Sequence, residues 1–263
     1  MASEQTQTYD DALVTLLELV WGEGYLSPGG PDEIRMVVDG VDLAGKSVLD
    51  LGCGTGGVTR FLAETYQPAR VVGVDIDPGL IERAAKRAAE AGLAETLTFR
   101  TVRLGRLPFA DGSFDVVFSK DAMVHLEDKE ALFAEIFRLL RPGGWVAASD
   151  WMSSTDGPFS AAMAYYLQAE GLGFGMASPT RYRTAMAEAG FGDVRLTDRN
   201  EWYRPLAHRE HDALAGPLYE QLAATVGKDF VDHEIEVWRA LTVVVDSGEL
   251  RPCHLRGRKP GLG

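Results

Sequence analysis

Cysteine is almost missing: Cys53 and Cys253 are the only two in 263 residues. Two thiols so far apart make neither a disulfide framework nor a metal-ligand spacing. A reducing cytoplasm and no metal are therefore expected. Basic charge is also short, with 26 Lys and Arg against 39 Asp and Glu, a formal charge of −13 and a pI near 4.8. Proteins that grip nucleic acid present a basic stripe. Here only Arg251, Arg256, Arg258 and Lys259 cluster, and a solvated tail accounts for them. No nucleic-acid partner is expected; a small neutral or cationic molecule suits the charge better. No apolar run approaches the roughly 18 residues of a membrane span, so no membrane partner is expected either. Residues 1–8 have no basic start and no apolar centre, so no secretion leader is expected there. Repeats and low-complexity tracts are absent, and nothing sets an oligomeric state.

What the chain does have is a strand running into glycines. Ser47-Val48-Leu49-Asp50-Leu51 is the short apolar run of a buried parallel strand, and Gly52-Cys53-Gly54-Thr55-Gly56-Gly57 follows at once. Missing side chains let the backbone pass close to a ligand, and glycine tolerates the positive φ of such a turn. Val58, Phe61 and Leu62 then begin a helical pattern. A second β-branched run, Val71 to Val74, ends in Asp75, 21 residues after Gly54. At that spacing a carboxylate can accept both hydroxyls of a bound ribose. Asp77-Pro78 reads as an N-cap and first turn, with Gly92 closing the helix. Phe114 to Ser119 is a further strand, followed by Asp121 and His125. Trp145 to Asp150 is another, after the turn Arg141-Pro142-Gly143-Gly144. Between these two strands, Asp128 caps a helix whose face is Leu132, Phe133, Ile136, Leu139 and Leu140. Alternating strands and helices predict a parallel sheet covered on both faces.

Around this core, Leu13, Leu16, Leu17, Val20 and Trp21 predict an amphipathic helix over 11–22. A glycine-rich loop over 22–30 and a helix over 33–43 follow. Beyond residue 151 the pattern predicts a helix over 158–171 with paired Tyr165 and Tyr166. A helix from Ser178-Pro179 to Gly190, a strand over 194–197, helical stretches over 207–226 and 230–242, and a final antiparallel strand over 252–258 complete the chain. Residues 1–45 are expected to form an N-terminal helix and lid. Residues 46–263 are expected to form one domain with helical insertions at about 152–190 and 203–245.

The ordered string of hhDhGCGTG, VDID, LPFADGSFDVV and LLRPGGW resembles the class I S-adenosylmethionine-dependent methyltransferases over about residues 46–151. A dinucleotide dehydrogenase fits less well, because the glycines read G-x-G-x-G-G and LLRPGGW belongs to methyltransferases. The resemblance implies an α/β, Rossmann-like seven-stranded sheet with helices on both faces and an N-terminal helical lid. It implies S-adenosyl-L-methionine as donor, S-adenosyl-L-homocysteine as product, and no metal. Donor contacts would fall on Asp50, Gly52, Gly54, Asp75, Ile76, Arg103, Leu104 and Lys120.

Methyl transfer from a sulfonium is an in-line displacement, so the protein adds mainly positioning and desolvation. A nitrogen that is protonated in water must also lose its proton to a base, ideally one with a pKa near neutrality. Asp121 and His125 are the candidates. They follow a core strand at the carboxyl edge of the sheet, where open α/β folds bind ligands, and share a face if the segment is helical. For His208, His211, His233 and His254 a structural role is the simpler reading.

A narrower resemblance rests on Gly22-Glu23-Gly24-Tyr25-Leu26-Ser27-Pro28-Gly29-Gly30 and Ser119-Lys120-Asp121-Ala122-Met123-Val124-His125-Leu126. Both look like the phosphoethanolamine N-methyltransferases. That pattern implies Tyr25 on the substrate and in the catalytic group, Ser27 on the donor, Asp121 on the substrate ammonium and His125 as base. The chain also departs from it. Leu17 stands where a tyrosine pairs with the catalytic histidine, Trp151 replaces a tyrosine after the fifth strand, and Arg103 replaces the acid near adenine. Residues 157–176 and 240–250 contain no Lys or Arg, and a dianionic phosphate needs such partners. Phosphoethanolamine is therefore rejected. The expected pocket combines Asp121, His125, Tyr25, Trp151, Tyr165 and Tyr166, a carboxylate with aromatic rings that suits an ammonium. Only one of the paired tyrosines can face it. The expected function is methylation of the nitrogen of a small amine or amino acid. Alternatives are S-methylation of a thioether such as methionine, and a donor-binding regulator without catalysis.

Overall fold

The computed structural model describes residues 9–261; the expectation of no secretion leader at 1–8 lies outside them. Seven strands form one sheet: β1 (Ser47–Leu51), β2 (Arg70–Asp75), β3 (Leu97–Thr101), β4 (Phe114–Lys120), β5 (Leu140–Ser153), β6 (Gly192–Asp198) and β7 (Leu250–Arg258). Their order is β3-β2-β1-β4-β5-β7-β6. The first five are parallel, and β7 runs antiparallel to both its neighbours. This is the Rossmann-like sheet expected. The order reverses between β1 and β4, which opens the ligand crevice at their carboxyl ends.

Strand periodicity builds the two covering layers. Val48, Val71, Val116 and Ala147 point to one face, where Ile34, Val37, Leu62 and Ala88 meet them. These come from α2 (Gly30–Val37), α3 (Gly57–Tyr66) and α4 (Pro78–Glu90). The next residues, Leu49, Val72, Val117 and Ala148, point to the other face. There they meet α5 (Lys129–Leu139) and α7 (Pro179–Glu188) through Leu132, Phe133, Ile136, Tyr182 and Met186. Successive side chains in a strand point to opposite faces, so a continuous apolar run serves two layers.

A third apolar cluster is largely helical. It gathers α1 (Asp11–Trp21), α6 (Ala161–Glu170), α8 (Asn200–Leu214), α9 (Tyr219–Val226) and α10 (Lys228–Asp246) around Leu16, Tyr166, Tyr203 and Leu241. Val124, just past β4, and Trp151, late in β5, join it. The helical group therefore caps the carboxyl ends of the strands. No helix among the described residues is long and apolar enough to cross a membrane.

Several elements differ from expectation. Strand β3 was not foreseen, because as an edge strand it buries only Leu97 fully. Helix α2 starts at Gly30, earlier than 33, with Pro31 in its first turn, and ends at Val37. The stretch 207–226 is two helices, and α8 begins at Asn200 in spite of Pro205 inside it. Proline in a helix interior removes a hydrogen bond, which is why the pattern reads as starting later. The RPGG turn sits inside β5 as an irregularity: pairing jumps from Phe114↔Leu140 to Val116↔Trp145.

Candidate active site

The turn after β1 is built by backbone geometry. Gly52 (φ +75°) and Gly54 (φ +52°) are left-handed, a conformation that costs other residues energy. The Gly52 and Cys53 amides donate to the Val74 carbonyl at 2.8 and 3.0 Å, and the Gly54 amide donates to Asp75 Oδ2 at 3.0 Å. Asp75 Oδ1 accepts from the Asp77 amide at 3.1 Å. Each oxygen keeps a second acceptor direction, so the carboxylate can still receive hydroxyls. Burial pushes the Asp75 carboxyl up, while the backbone donors of Asp77 and Gly54 oppose this. Asp50 lies beneath the turn, bonded by Thr59 Oγ1 at 2.6 Å, and burial raises its pKa to about 7. Ile76 is half-buried beside Asp75. The Val102 amide donates to the Asp75 carbonyl at 2.9 Å, so the exposed Arg103 and Leu104 follow at the same sheet edge.

The N-terminal segment is tied across this turn. Glu18 accepts from Thr55 Oγ1 at 2.8 Å and from both terminal nitrogens of Arg87 at 2.6 and 2.7 Å. The Gly57 amide donates to the Gly24 carbonyl at 3.1 Å. Buried Lys120 donates to Ser27 Oγ and the Pro28 carbonyl, each at 2.9 Å, and to Asp121 Oδ2 at 2.6 Å. One ammonium thus joins the loop holding Ser27 to Asp121. Glu18, Thr55 and Arg87 escaped the sequence reading, because no motif links partners so far apart along the chain.

Asp121 and His125 do not share an α-helical face. Asp121 is left-handed (φ +56°), its Oδ1 accepting from Ser149 Oγ at 2.5 Å, and Met123–His125 is a single 3₁₀ turn. Lys129, fully buried, donates to the Met123 and Leu126 carbonyls at 2.7 and 2.5 Å. Asp150 accepts from the Val124 amide at 3.0 Å and from the Tyr182 hydroxyl. These three side chains, all missed from sequence, fix the turn that carries His125. The ring sits against Phe174, centroids 5.1 Å apart. Its Nε2 lies 3.4 Å from the Tyr9 hydroxyl. Burial, countered by the Leu172 carbonyl and aided by Lys129, lowers the His125 pKa to about 4. The near-neutral base expected from sequence is therefore corrected to an imidazole that is neutral throughout the physiological range. Nδ1 is buried with no side-chain hydrogen-bond partner among the described residues, so the one side-chain hydrogen bond of the ring is that between Nε2 and the Tyr9 hydroxyl.

Tyr9 supplies this hydroxyl, while Leu17 is buried in the helical cluster. It precedes α1 with no motif around it, so spacing carries no signal for it. Tyr25 is a further correction. It packs with the α2–α3 layer, and the charges around it are Arg60, Glu64 and Arg35, not Asp121 or His125. Trp151 meets Tyr203 edge-on at 4.8 Å and so packs into the helical cluster. Tyr165 is 47% exposed and donates to Glu236 at 2.7 Å, which removes it from the pocket. Tyr166 is the inward member of the pair, 5% exposed. Among the described residues no cluster of three or more His, Cys, Asp or Glu side chains could hold a metal.

A methyltransferase-domain family profile matches residues 48–144. The chain is 36% identical over 203 residues to phosphoethanolamine N-methyltransferase 1 of Triticum aestivum, a match covering 77% of this chain and 40% of that protein. It therefore spans less than half of that relative. Phosphoethanolamine N-methyltransferase 2 of Haemonchus contortus, solved with phosphomonomethylethanolamine and S-adenosylhomocysteine, superposes with a TM-score of 0.87. That match has 22% identity and covers 97% of this chain and 59% of that one. A Galdieria sulphuraria protein assigned as a sarcosine dimethylglycine methyltransferase superposes with a TM-score of 0.83 and 22% identity, over 97% of this chain and 100% of that one. With the glycine turn, the acid after β2 and the seven-stranded order all in place, the chain belongs to the class I S-adenosylmethionine-dependent methyltransferases.

Proposed function

We propose that this protein transfers a methyl group from S-adenosylmethionine to the nitrogen of a small polar amine. The observation that carries this reading is the buried, neutral imidazole of His125, held by a 3₁₀ turn and paired with Tyr9 at 3.4 Å. A base so placed serves an acceptor that must shed a proton. The residues that would hold the donor are the turn at Gly52 and Gly54, Asp75 on the ribose, and Ile76, Arg103 and Leu104 at the adenine edge. Ser27, tied to Lys120, would close over it, with Asp50 shaping the turn from below. The free acceptor directions on Asp75 and the bare backbone of the turn fit such a nucleoside. When bound, the donor supplies an electrophilic methyl on sulfur.

The chain's own residues then prepare the nitrogen. Asp121, fixed by Lys120 and Ser149, holds the ammonium by charge. His125 Nε2 takes its proton and leaves a lone pair available to the methyl carbon. Because burial disfavours the imidazolium, the ring holds that proton only for the transfer and gives it up to solvent as the product leaves, while Tyr9 orients the ring. Positioning and dryness carry most of the remaining rate. The two buried free cysteines accord with a cytoplasmic location, which we assign with the function.

The test is formation of S-adenosylhomocysteine from labelled donor and a panel of ethanolamine, glycine, sarcosine, dimethylglycine, methionine and phosphoethanolamine. Methylation of an amine, with phosphoethanolamine a poor acceptor, is expected. His125→Ala should lower kcat about 10²-fold or more at every pH. Near-normal turnover of that variant at high pH, or a sulfonium product, would replace this reading by thioether methylation. Donor binding without turnover of any acceptor would leave the chain a regulator.

A further inference from the structure

Buried carboxylates in this fold have donors, with Glu234 as the exception, and the half-buried Glu170 resembles it. Glu33 is held by Arg199 and His254, Asp50 by Thr59 and Asp150 by Val124 and Tyr182. Glu210 receives Trp21 at 2.7 Å and Tyr203 at 3.0 Å. Glu234, 7% exposed on α10, has no hydrogen-bond or ion-pair partner among the described residues, and neither does Glu170 at the end of α6. The charged group acting on Glu170 is Glu234, and that acting on Glu234 is Asp10, all acidic.

Helix α6 packs on α10, and the bond from Tyr165 to Glu236 fixes the outer edge of that contact. One position on, Tyr166 turns inward. It is on the same helix face as Glu170, four residues later. Its hydroxyl also lacks a hydrogen-bond partner among the described residues, although the side chain is 95% buried (5% exposed). Tyr166 senses Glu170, Tyr9 and Glu234; Tyr9 senses Glu170, Asp75 and Asp121. Glu170 therefore lies near Tyr9, the partner of His125. Residues 157–176, where the family resemblance would put a phosphate-gripping arginine, offer Glu170 and no base.

We infer that Glu170 and Glu234, with the Tyr166 hydroxyl between α6 and α10, form a subsite for a second ammonium group, so that the acceptor is a diamine. This rests on the amine-methylation reading and names its substrate class. An unpaired buried carboxylate is costly, and the cost is avoided while the site is empty by keeping protons on. Burial, with the Glu234 carboxylate, raises Glu170 to about 8, and burial, with Asp10, raises Glu234 to about 7. An arriving ammonium would displace those protons into solvent and restore two charge-assisted hydrogen bonds.

The test compares diamines from 1,2-diaminoethane to 1,5-diaminopentane with n-alkylamines of matched length. Wild-type protein should favour one diamine, and its binding to the S-adenosylhomocysteine complex should release protons, read by calorimetry in buffers of different ionisation enthalpy. Glu170→Gln and Glu234→Gln should each lower kcat/KM for that diamine by about tenfold more than for the matched monoamine and reduce the proton release. Equal losses for both amine classes, or wild-type binding of diamines no tighter than of monoamines, would overturn the subsite. If no amine is methylated, the function falls separately. Calorimetric diamine binding that needs Glu170 would still uphold the subsite, and its absence would overturn it.

Discussion

The donor side and the acceptor side of this crevice are built from different materials. At the carboxyl ends of β1 and β2 the working groups are backbone amides, glycine dihedrals and one carboxylate, all within one strand–turn–helix unit and the next strand. Across the crevice the working groups are side chains brought in by α1, α6, α10 and the 3₁₀ turn, from Tyr9 to Glu234. Backbone geometry tolerates little substitution, whereas single side chains on separate helices can change without disturbing their neighbours. A fold of this kind can keep its donor and exchange its acceptor.

The contrast can be broken most forcefully at Gly52. A Cβ there would sit 2.2 Å from Ala122 Cβ in a left-handed residue. Gly52→Ala should therefore weaken S-adenosylhomocysteine binding about 10²-fold, measured by titration. Retained affinity would mean that the turn is not the donor cradle. On the acceptor side Tyr9→Phe should cost about tenfold in kcat while donor affinity stays within about twofold, since one hydrogen bond is lost. The acid limb of its kcat profile, like that of the parent, should lie near the lowered His125 value of about 4, not at 6.5. A loss of donor affinity equal to the loss of kcat would place Tyr9 with the donor instead.

Buried acids on the two sides respond to pH in the same direction. Asp50 and Glu234 at about 7 and Glu170 at about 8 hold protons when folded that the unfolded chain gives up near 4. Their contribution to stability is therefore present at acidic pH and declines as pH rises through 7–8. His125, lowered to about 4, acts oppositely between 6.5 and 4, but one imidazole is set against three carboxyls. The ligand-free protein should melt about 5 °C or more lower at pH 8 than at pH 5, and Glu170→Gln should flatten that slope. A melting temperature that rises over this range would contradict the placement of these acids. The smallest expected effect is at the clamp on the turn: Glu18→Gln, which weakens the bidentate pair with Arg87, should reduce donor affinity about threefold.

The same contrast explains which parts could be read without coordinates. Local rules sufficed for β1, its glycine turn, Asp75, the Asp77 and Asp128 caps and the α5 face, because each depends on neighbours a few residues away. Edge strand β3 has too little buried surface to produce a pattern, and Pro205 disguised the start of α8. Among the proposed site residues, Asp121 and His125 were visible from their position after a strand, although not their true backbone. Tyr9, Lys129, Asp150, Glu170 and Glu234 matter through partners that are distant in sequence or on other elements, where spacing carries no information. Tyr25 and Tyr165 were misplaced for the related reason that a side chain's direction is settled by packing, as Tyr165 turns outward to Glu236 while Tyr166 turns in.

One continuous stretch, Tyr9 to Pro28, reaches both ligands' neighbourhoods: Tyr9 at the imidazole, Glu18 and Gly24 at the glycine turn, Pro28 and Ser27 at Lys120. Occupancy at one end steadies a segment that the other end also uses. Cosubstrate affinities are then reciprocal by thermodynamic linkage, so that whichever molecule arrives first lowers the ordering entropy left for the second.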